Sequence, residues 1–228
     1  MNRLVRLFGT SLGRELIMAA TGALLIVFVV IHMLGNMKVY QGPDALNSYA
    51  ARLIGHPLLW VVRLGLLSVF GVHVYLAFWL ARRNRVSRPL GYQRYTAQKG
   101  SVFTRHLMVS GLMILAFVVY HLLHFTLGVV DSGNVHLVDA HGRRDVYSMV
   151  VRSFGNPWIS ASYVVAMVLL GFHLIHGAKS LFQTVGINHE SYNRLIAVAC
   201  AVLVAIIVVG NCSIPILVLA GAIRPPGG

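Results

Sequence analysis

The sequence predicts an all-α integral membrane protein with five transmembrane helices. Three observations carry that prediction. Of 228 residues, 57% are hydrophobic and only 11% charged, where a soluble domain carries about 25% charged residues. The mean hydropathy is +0.74. The charges that do occur fall between long apolar runs, and five of those runs can each cross a bilayer. The same distribution excludes nucleic acid as a partner despite a formal net charge of +13. No basic groove interleaved with exposed aromatics is present, which a single-strand binder needs. The chain reads as one transmembrane domain over residues 1–228.

The predicted spans are 16–37, 58–80, 106–128, 159–181 and 194–221. The first follows basic residues, as a signal peptide would, but it is too long for a signal core and no small-x-small cleavage pattern closes it. Pro57 and Pro157 stand where the second and fourth spans begin, at positions suited to a first helical turn. Pro215 interrupts the fifth span and predicts a kink. Turn residues mark the links at Gln41-Gly42-Pro43-Asp44, Arg88-Pro89-Leu90-Gly91 and Asp131-Ser132-Gly133-Asn134. Within the first link, Asp44-Ala45-Leu46-Asn47-Ser48-Tyr49 suits a short surface helix. Cys200 and Cys212 sit twelve residues apart in one apolar run, about 18 Å along a helix, too far for a disulfide. They are expected to be buried packing residues.

Basic residues orient the spans. Arg3, Arg6, Arg14, Arg82, Arg83, Arg85, Arg88, Arg94, Lys99, Arg105, Lys179 and Arg194 gather on one side. Lys38, Arg52, Arg143, Arg144, Arg152 and Arg224 fall on the other, diluted by Asp44, Asp131, Asp139 and Asp145. The N-terminus is therefore expected in the cytoplasm and the C-terminus outside. The 81–105 link becomes the main cytoplasmic surface and the expected docking site for a soluble partner.

Eleven histidines are present, and six lie in or just within spans: His32, His73, His121, His124, His173 and His176. A buried imidazole in hydrocarbon is costly without a partner. Taken singly, each would more readily be explained by a hydrogen bond to a neighbouring helix. The arrangement argues for more. Spans one and three run outward, and His32 and His121 come late in each. Spans two and four run inward, and His73 and His173 again come late. Each level thus holds two imidazoles from two helices, and the levels differ by roughly 12 Å of helical rise. A bis-histidine haem needs that placement, and the sequence supplies it twice. The expected architecture is a four-helix core holding two b haems, His32/His121 outer and His73/His173 inner, with a peripheral fifth helix.

Local sequence agrees, since Val29-Val30-Ile31-His32-Met33-Leu34 parallels Val118-Val119-Tyr120-His121-Leu122-Leu123, and Gly71-Val72-His73 parallels Gly171-Phe172-His173. Gly22, Gly71, Gly111 and Gly171 suit either the approach of a flat macrocycle or ordinary close helix packing. His124 and His176 stand one turn beyond His121 and His173 on the same face. They are candidates for propionate partners, alternative ligands or groups lining a quinone site. Arg63, about six residues inside span two, is a candidate propionate partner, with snorkelling as the alternative. His56 is placed to lie near an outer quinone site. His106, His136, His141 and His189 fall in links or at span ends and read as surface residues.

These residues resemble the single-chain, di-haem cytochrome b (b558-type) subunit of succinate:quinone oxidoreductases and fumarate reductases. The resemblance rests on His32-Met33-Leu34-Gly35-Asn36, on Ala45-Leu46-Asn47-Ser48-Tyr49 before Pro57, and on His73 with Tyr75. It continues through Val119-Tyr120-His121 and Phe172-His173-Leu174-Ile175-His176-Gly177 to Thr184-Val185-Gly186-Ile187. It implies the same pairing, with spans one and three on the distal, lower-potential haem and spans two and four on the proximal one. It implies a flavoprotein (FAD) subunit that oxidises succinate, an iron–sulfur subunit that passes the electrons, and this chain as anchor and quinone reductase. Menaquinone near the outer haem, a bacterial inner membrane and a higher oligomer of the whole complex belong to the same implication. No dinucleotide fingerprint or cysteine cluster places the soluble chemistry in this chain. Some fumarate reductases carry a glutamate in span five for proton movement, and 194–221 has no acid.

Other classes remain in view. Fumarate reductase running on quinol uses the same kind of anchor. Membrane subunits of hydrogenases and formate dehydrogenases also use bis-histidine ligation but pair different helices. Cytochrome b of the bc1 type places two ligands about fourteen residues apart on one helix, which no span here does. A transporter with a histidine proton relay predicts intramembrane carboxylates, and the span cores contain none, Glu15 standing at the entry to span one.

Overall fold

The computed structural model describes residues 10–86 and 102–226. Arg3, Arg6, the Arg88-Pro89-Leu90-Gly91 turn and most of the basic link expected to dock a partner lie outside the described residues. The elements are α1 (Ser11–Asn36), a 3₁₀ turn (Met37–Gln41), α2 (Pro43–Ile54), α3 (Leu59–Val86) and α4 (Val102–His121). A π turn (Leu122–Thr126), α5 (Ser132–Val135), α6 (Val146–Phe154), α7 (Pro157–Thr184) and α8 (Glu190–Leu219) follow. Five segments are long and apolar enough to cross a membrane: Ser11–Gln41, Leu59–Arg83, Leu107–Thr126, Pro157–Thr184 and Glu190–Leu219. Among the described residues there is no strand, only an isolated bridge between Val138 and Arg144.

Local chemistry sets the helix ends. Thr10 caps α1 by accepting from the Gly13 amide, and Asn156 caps α7 through the Trp158 and Ile159 amides, with Pro157 in the first turn. These caps satisfy amides that have no partner within the helix. Asp145 caps α6 through Ser148, and His189 caps α8 through Ser191. Gly42, at φ +94°, turns the chain into Pro43 and so into α2. Gly186, at φ +84°, ends α7 while the Ile187 amide returns to the Phe182 carbonyl. The expected turn at Asp131-Ser132-Gly133-Asn134 is instead one turn of helix, α5. Pro215 lies inside α8, whose helical run continues to Leu219.

α1 packs between α3 and α7, and α7 in turn packs on α4 and α8. The fifth span is less peripheral than expected. α8 lies along α7 and also touches α1, burying Cys200, Val204, Ile207 and Cys212. Ile207 has no exposed surface. The reason is small-residue packing, because a Cβ on Gly171 would meet Val208 at 2.7 Å and one on Gly210 would meet the Met33 sulfur at 2.5 Å. Both cysteines are free and buried. The opposite face of α8, with Val198, Val202, Ile206 and Val209, is exposed, as are Leu64 and Leu67 of α3. In a bilayer these faces meet lipid.

At one end of the bundle α2, α5 and α6 fold over the helices as a cap. Buried Val39, Leu46, Tyr147, Val151, Phe154, Tyr163, Ile214 and Val218 form its core. Tyr147 also donates to the carbonyl of Arg224, so the C-terminal segment lies at this end. At the other end the Arg14 guanidinium stacks 3.9 Å from the centre of the Trp79 ring, tying the start of α1 to the end of α3.

Candidate functional site

The four histidines form two levels on the helices that carry them. At the capped end, the rings of His32 (α1) and His121 (α4) stand 5.8 Å apart between centroids, with planes at 89°. His32 stacks on Phe28 at 5.5 Å. The other level carries His73 (α3) and His173 (α7). Each touches a neighbouring helix at a hydroxyl. Thr21 Oγ1 lies 3.1 Å from His73 Nδ1, and Ser110 Oγ lies 3.3 Å from His173 Nδ1.

Those hydroxyls suit one tautomer. Thr21 donates its proton to the Ile17 and Met18 carbonyls at 2.9 and 3.0 Å, and Ser110 donates to Leu107 at 3.1 Å. A hydroxyl has a single proton, and with that proton on the carbonyl each oxygen accepts from the ring. Nδ1 of His73 and of His173 then carries the hydrogen, and Nε2 is left with a lone pair. That is the state a histidine ligand requires, oriented by its second nitrogen. The adjacent glycines complete the seats: a Cβ on Gly22 would come within 3.3 Å of His73 Cε1, and one on Gly111 within 3.4 Å of His173 Cε1. Gly71, by contrast, has nothing within 4 Å, and Gly171 serves the packing of α7 on α8. From Thr21 to His32, and from Ser110 to His121, is eleven residues. The two levels are thus about 16 Å apart along the helices, somewhat more than the sequence estimate.

The His32/His121 level is built differently. The helical ladder widens just after His121 into a π turn, with the Leu127 amide bonding to the Leu122 carbonyl at 2.8 Å. Such turns re-aim side chains and recur at functional sites. Tyr163 of α7 places its hydroxyl 3.3 Å from His121 Nδ1 and 2.9 Å from His124 Nδ1. His124 is 1% exposed, and its Nε2 has no hydrogen-bond partner, facing Asp131 Oδ2 at 3.9 Å. Asp131 is held by Ser153 at 2.5 Å and by Asn134 at 2.9 and 3.0 Å. Burial pulls the Asp131 carboxyl upward, but the hydrogen bonds from Ser153 and Asn134, with His124 facing it, hold it below the ordinary carboxylate value. It is ionised at neutral pH.

The remaining candidates separate clearly from these pairs. His124 has Nδ1 on Tyr163 and Nε2 toward Asp131, so neither nitrogen faces His32 or His121 as a ligand would. His176 is half-buried, and its Nδ1 lies 3.1 Å from the carbonyl of Phe172 in its own helix. Arg63 is exposed, its guanidinium 5.1 Å from the Trp60 ring centre. His56 lines an open cleft of ≈ 390 Å³ with Lys38, Tyr49, Arg52 and Leu53, and its Nδ1 accepts from the Leu58 amide. Sequence reasoning missed Thr21, Ser110 and Tyr163 as partners of the histidines. A usable signal was present for the first two, a hydroxyl-glycine pair at the same spacing before His32 and before His121.

Among the described residues no group of three or more His, Cys, Asp or Glu side chains could hold a bare metal ion. Paired imidazoles suit a group that brings its own equatorial ligands. With metal–nitrogen bonds of about 2 Å, imidazoles on opposite faces of one metal have ring centroids roughly 6 Å apart. The 5.8 Å separation of His32 and His121 and the free Nε2 of His73 and His173 fit that requirement.

Nothing among curated proteins or solved structures matches the chain. A protein-family profile, described as the succinate dehydrogenase/fumarate reductase transmembrane subunit, matches residues 81–209, more than half of the sequence and including His121 and His173. The chain belongs to the succinate dehydrogenase/fumarate reductase transmembrane subunit family.

Proposed function

We propose that the chain is the cytochrome b subunit of a succinate dehydrogenase, anchoring the flavoprotein and iron–sulfur subunits and reducing membrane quinone through two b haems. His32 and His121 would hold the outer haem, and His73 and His173 the inner one. Each haem supplies a one-electron carrier at its level. The single observation that carries the reading is the hydroxyl seating of His73 and His173, which suits a hydrogen on each Nδ1 and a lone pair on each Nε2. Thr21 and Ser110 fix ring orientation, and Gly22 and Gly111 leave room for the rings.

The N-terminus lies in the cytoplasm in this reading, and the capped end faces outward. The basic 81–105 link receives the iron–sulfur subunit. Menaquinone binds near the outer level, where His56, Lys38 and Arg52 line a cleft. The cell membrane of a bacterium is the expected location, and the whole complex can assemble further. The 194–221 segment has no acid, so the glutamate proton route of some fumarate reductases is not carried over to this chain.

A reduced-minus-oxidised difference spectrum of the complex purified through this chain tests the reading. A b-type band, with a covalently flavinylated flavoprotein and an iron–sulfur protein co-purifying, is the expected result. Absence of the band removes the haem assignment. A b-type band with hydrogenase or formate dehydrogenase subunits instead would overturn the succinate assignment.

A further inference from the structure

The two levels end their hydrogen-bond chains differently. At the inner level, each hydroxyl passes its proton to a neutral backbone carbonyl. At the outer level the chain continues through two more side chains and stops 3.9 Å short of a carboxylate. If His121 ligates through Nε2, its Nδ1 carries the hydrogen and donates to Tyr163 Oη. The tyrosine proton then goes to His124 Nδ1, the nearer of the two nitrogens at 2.9 Å. A neutral His124 consequently carries its hydrogen on Nε2, the atom facing Asp131. The 3.9 Å gap is a contact of charge and dipole rather than a hydrogen bond. As far as His124 Nδ1 each proton has one place to go, and His121 and His124 meet on the same tyrosine oxygen.

Resting on the haem assignment above, we propose that Asp131, His124 and Tyr163 are positioning residues for His121. They fix its tautomer and ring orientation and raise its basicity through a chain that ends beside negative charge, so that the outer haem is held at a lower potential than it would have without them. Carboxylate–histidine–metal chains act in this way on other metals, making the imidazole a stronger donor. A stronger donor favours the oxidised metal. This accounts for features that ligation alone does not require: a fully buried second histidine, an ionised carboxylate beside it, and a carboxylate held by Ser153 and Asn134.

The test is a potentiometric titration of both haems in the intact complex, with low-spin EPR of each, for wild type, Tyr163→Phe, Asp131→Asn, Asp131→Glu and the Tyr163→Phe/Asp131→Asn double variant. Tyr163→Phe keeps the ring and its packing while removing the oxygen. The expected result is an upward shift of the outer potential in both single variants, with a changed outer EPR signal and the inner haem unmoved. Asp131→Glu should restore part of the shift. The double variant should move no further than Tyr163→Phe, since a broken chain no longer transmits the carboxylate. An unchanged outer potential, equal movement of both haems, or additive shifts in the double variant would each overturn the proposal. Wild-type protein without haem would instead refute the reading on which it rests.

Discussion

At the scale of single residues, the hydroxyls beside the histidines decide what the imidazoles can do. Thr21→Val keeps the shape of the side chain but removes the acceptor for His73 Nδ1. An unsatisfied buried polar group costs about 1–3 kcal/mol, and here the lost bond also frees the tautomer. Thr21→Val is therefore expected to weaken or lose the inner b-type component while the outer one persists, read from difference spectra of the purified complex. Equal loss of both components, or no change, would count against the seating of His73. The histidines themselves were legible from depth alone, because each comes late in its span. Which nitrogen is free was not legible, since it depends on what an atom of another helix does with its single proton. Tyr163 was still harder to find: it lies 42 residues from His121, and no local pattern links an α7 tyrosine to an α4 histidine.

At the scale of elements, the cap holds the capped level of the bundle in place, and charge adds to its apolar core. Asn47, 1% exposed, donates to Asp139 and Asp145 and accepts from the Tyr147 amide, joining α2 to α6. Arg143 bridges Asp139 and Asp44, each at 2.7 Å. Arg143 draws the Asp44 carboxyl down from its ordinary value. Burial would raise Asp139, but hydrogen bonds from Arg143 bring it to about 2. Burial also opposes Asp145, and Ser148 and Asn47 outweigh it. Carboxyls depressed in the folded state stabilise it above their unfolded value, and that contribution is lost as pH falls through the folded value. The cap should thus open between pH of about 4 and about 2, seen as pepsin cleavage within 137–156 while the spans stay protected. Protection of that segment unchanged down to pH 2 would contradict the account. A short helix over 44–49 was readable in the first link, and it runs longer, from Pro43 to Ile54. The integration of α8 was not, because it depends on Gly171 and Gly210 admitting side chains from other helices, a property of two surfaces rather than of either sequence.

At the scale of the whole molecule, family membership and internal arrangement support one another from separate parts of the chain. The family match covers residues 81–209, whereas His32 and His73 precede it. Thr21-Gly22 before His32 mirrors Ser110-Gly111 before His121, so the first two spans carry the same seat as the matched third and fourth. That repetition suits the proposed pair of haems at two levels. The most direct measurement is haem stoichiometry by the pyridine haemochrome assay on the purified complex, for wild type, His32→Ala and His73→Ala. The account predicts two b haems per chain in wild type and one in each variant, the survivor being the inner haem in His32→Ala and the outer haem in His73→Ala. A wild-type content of one or none, or a His73→Ala protein that keeps both, would contradict it.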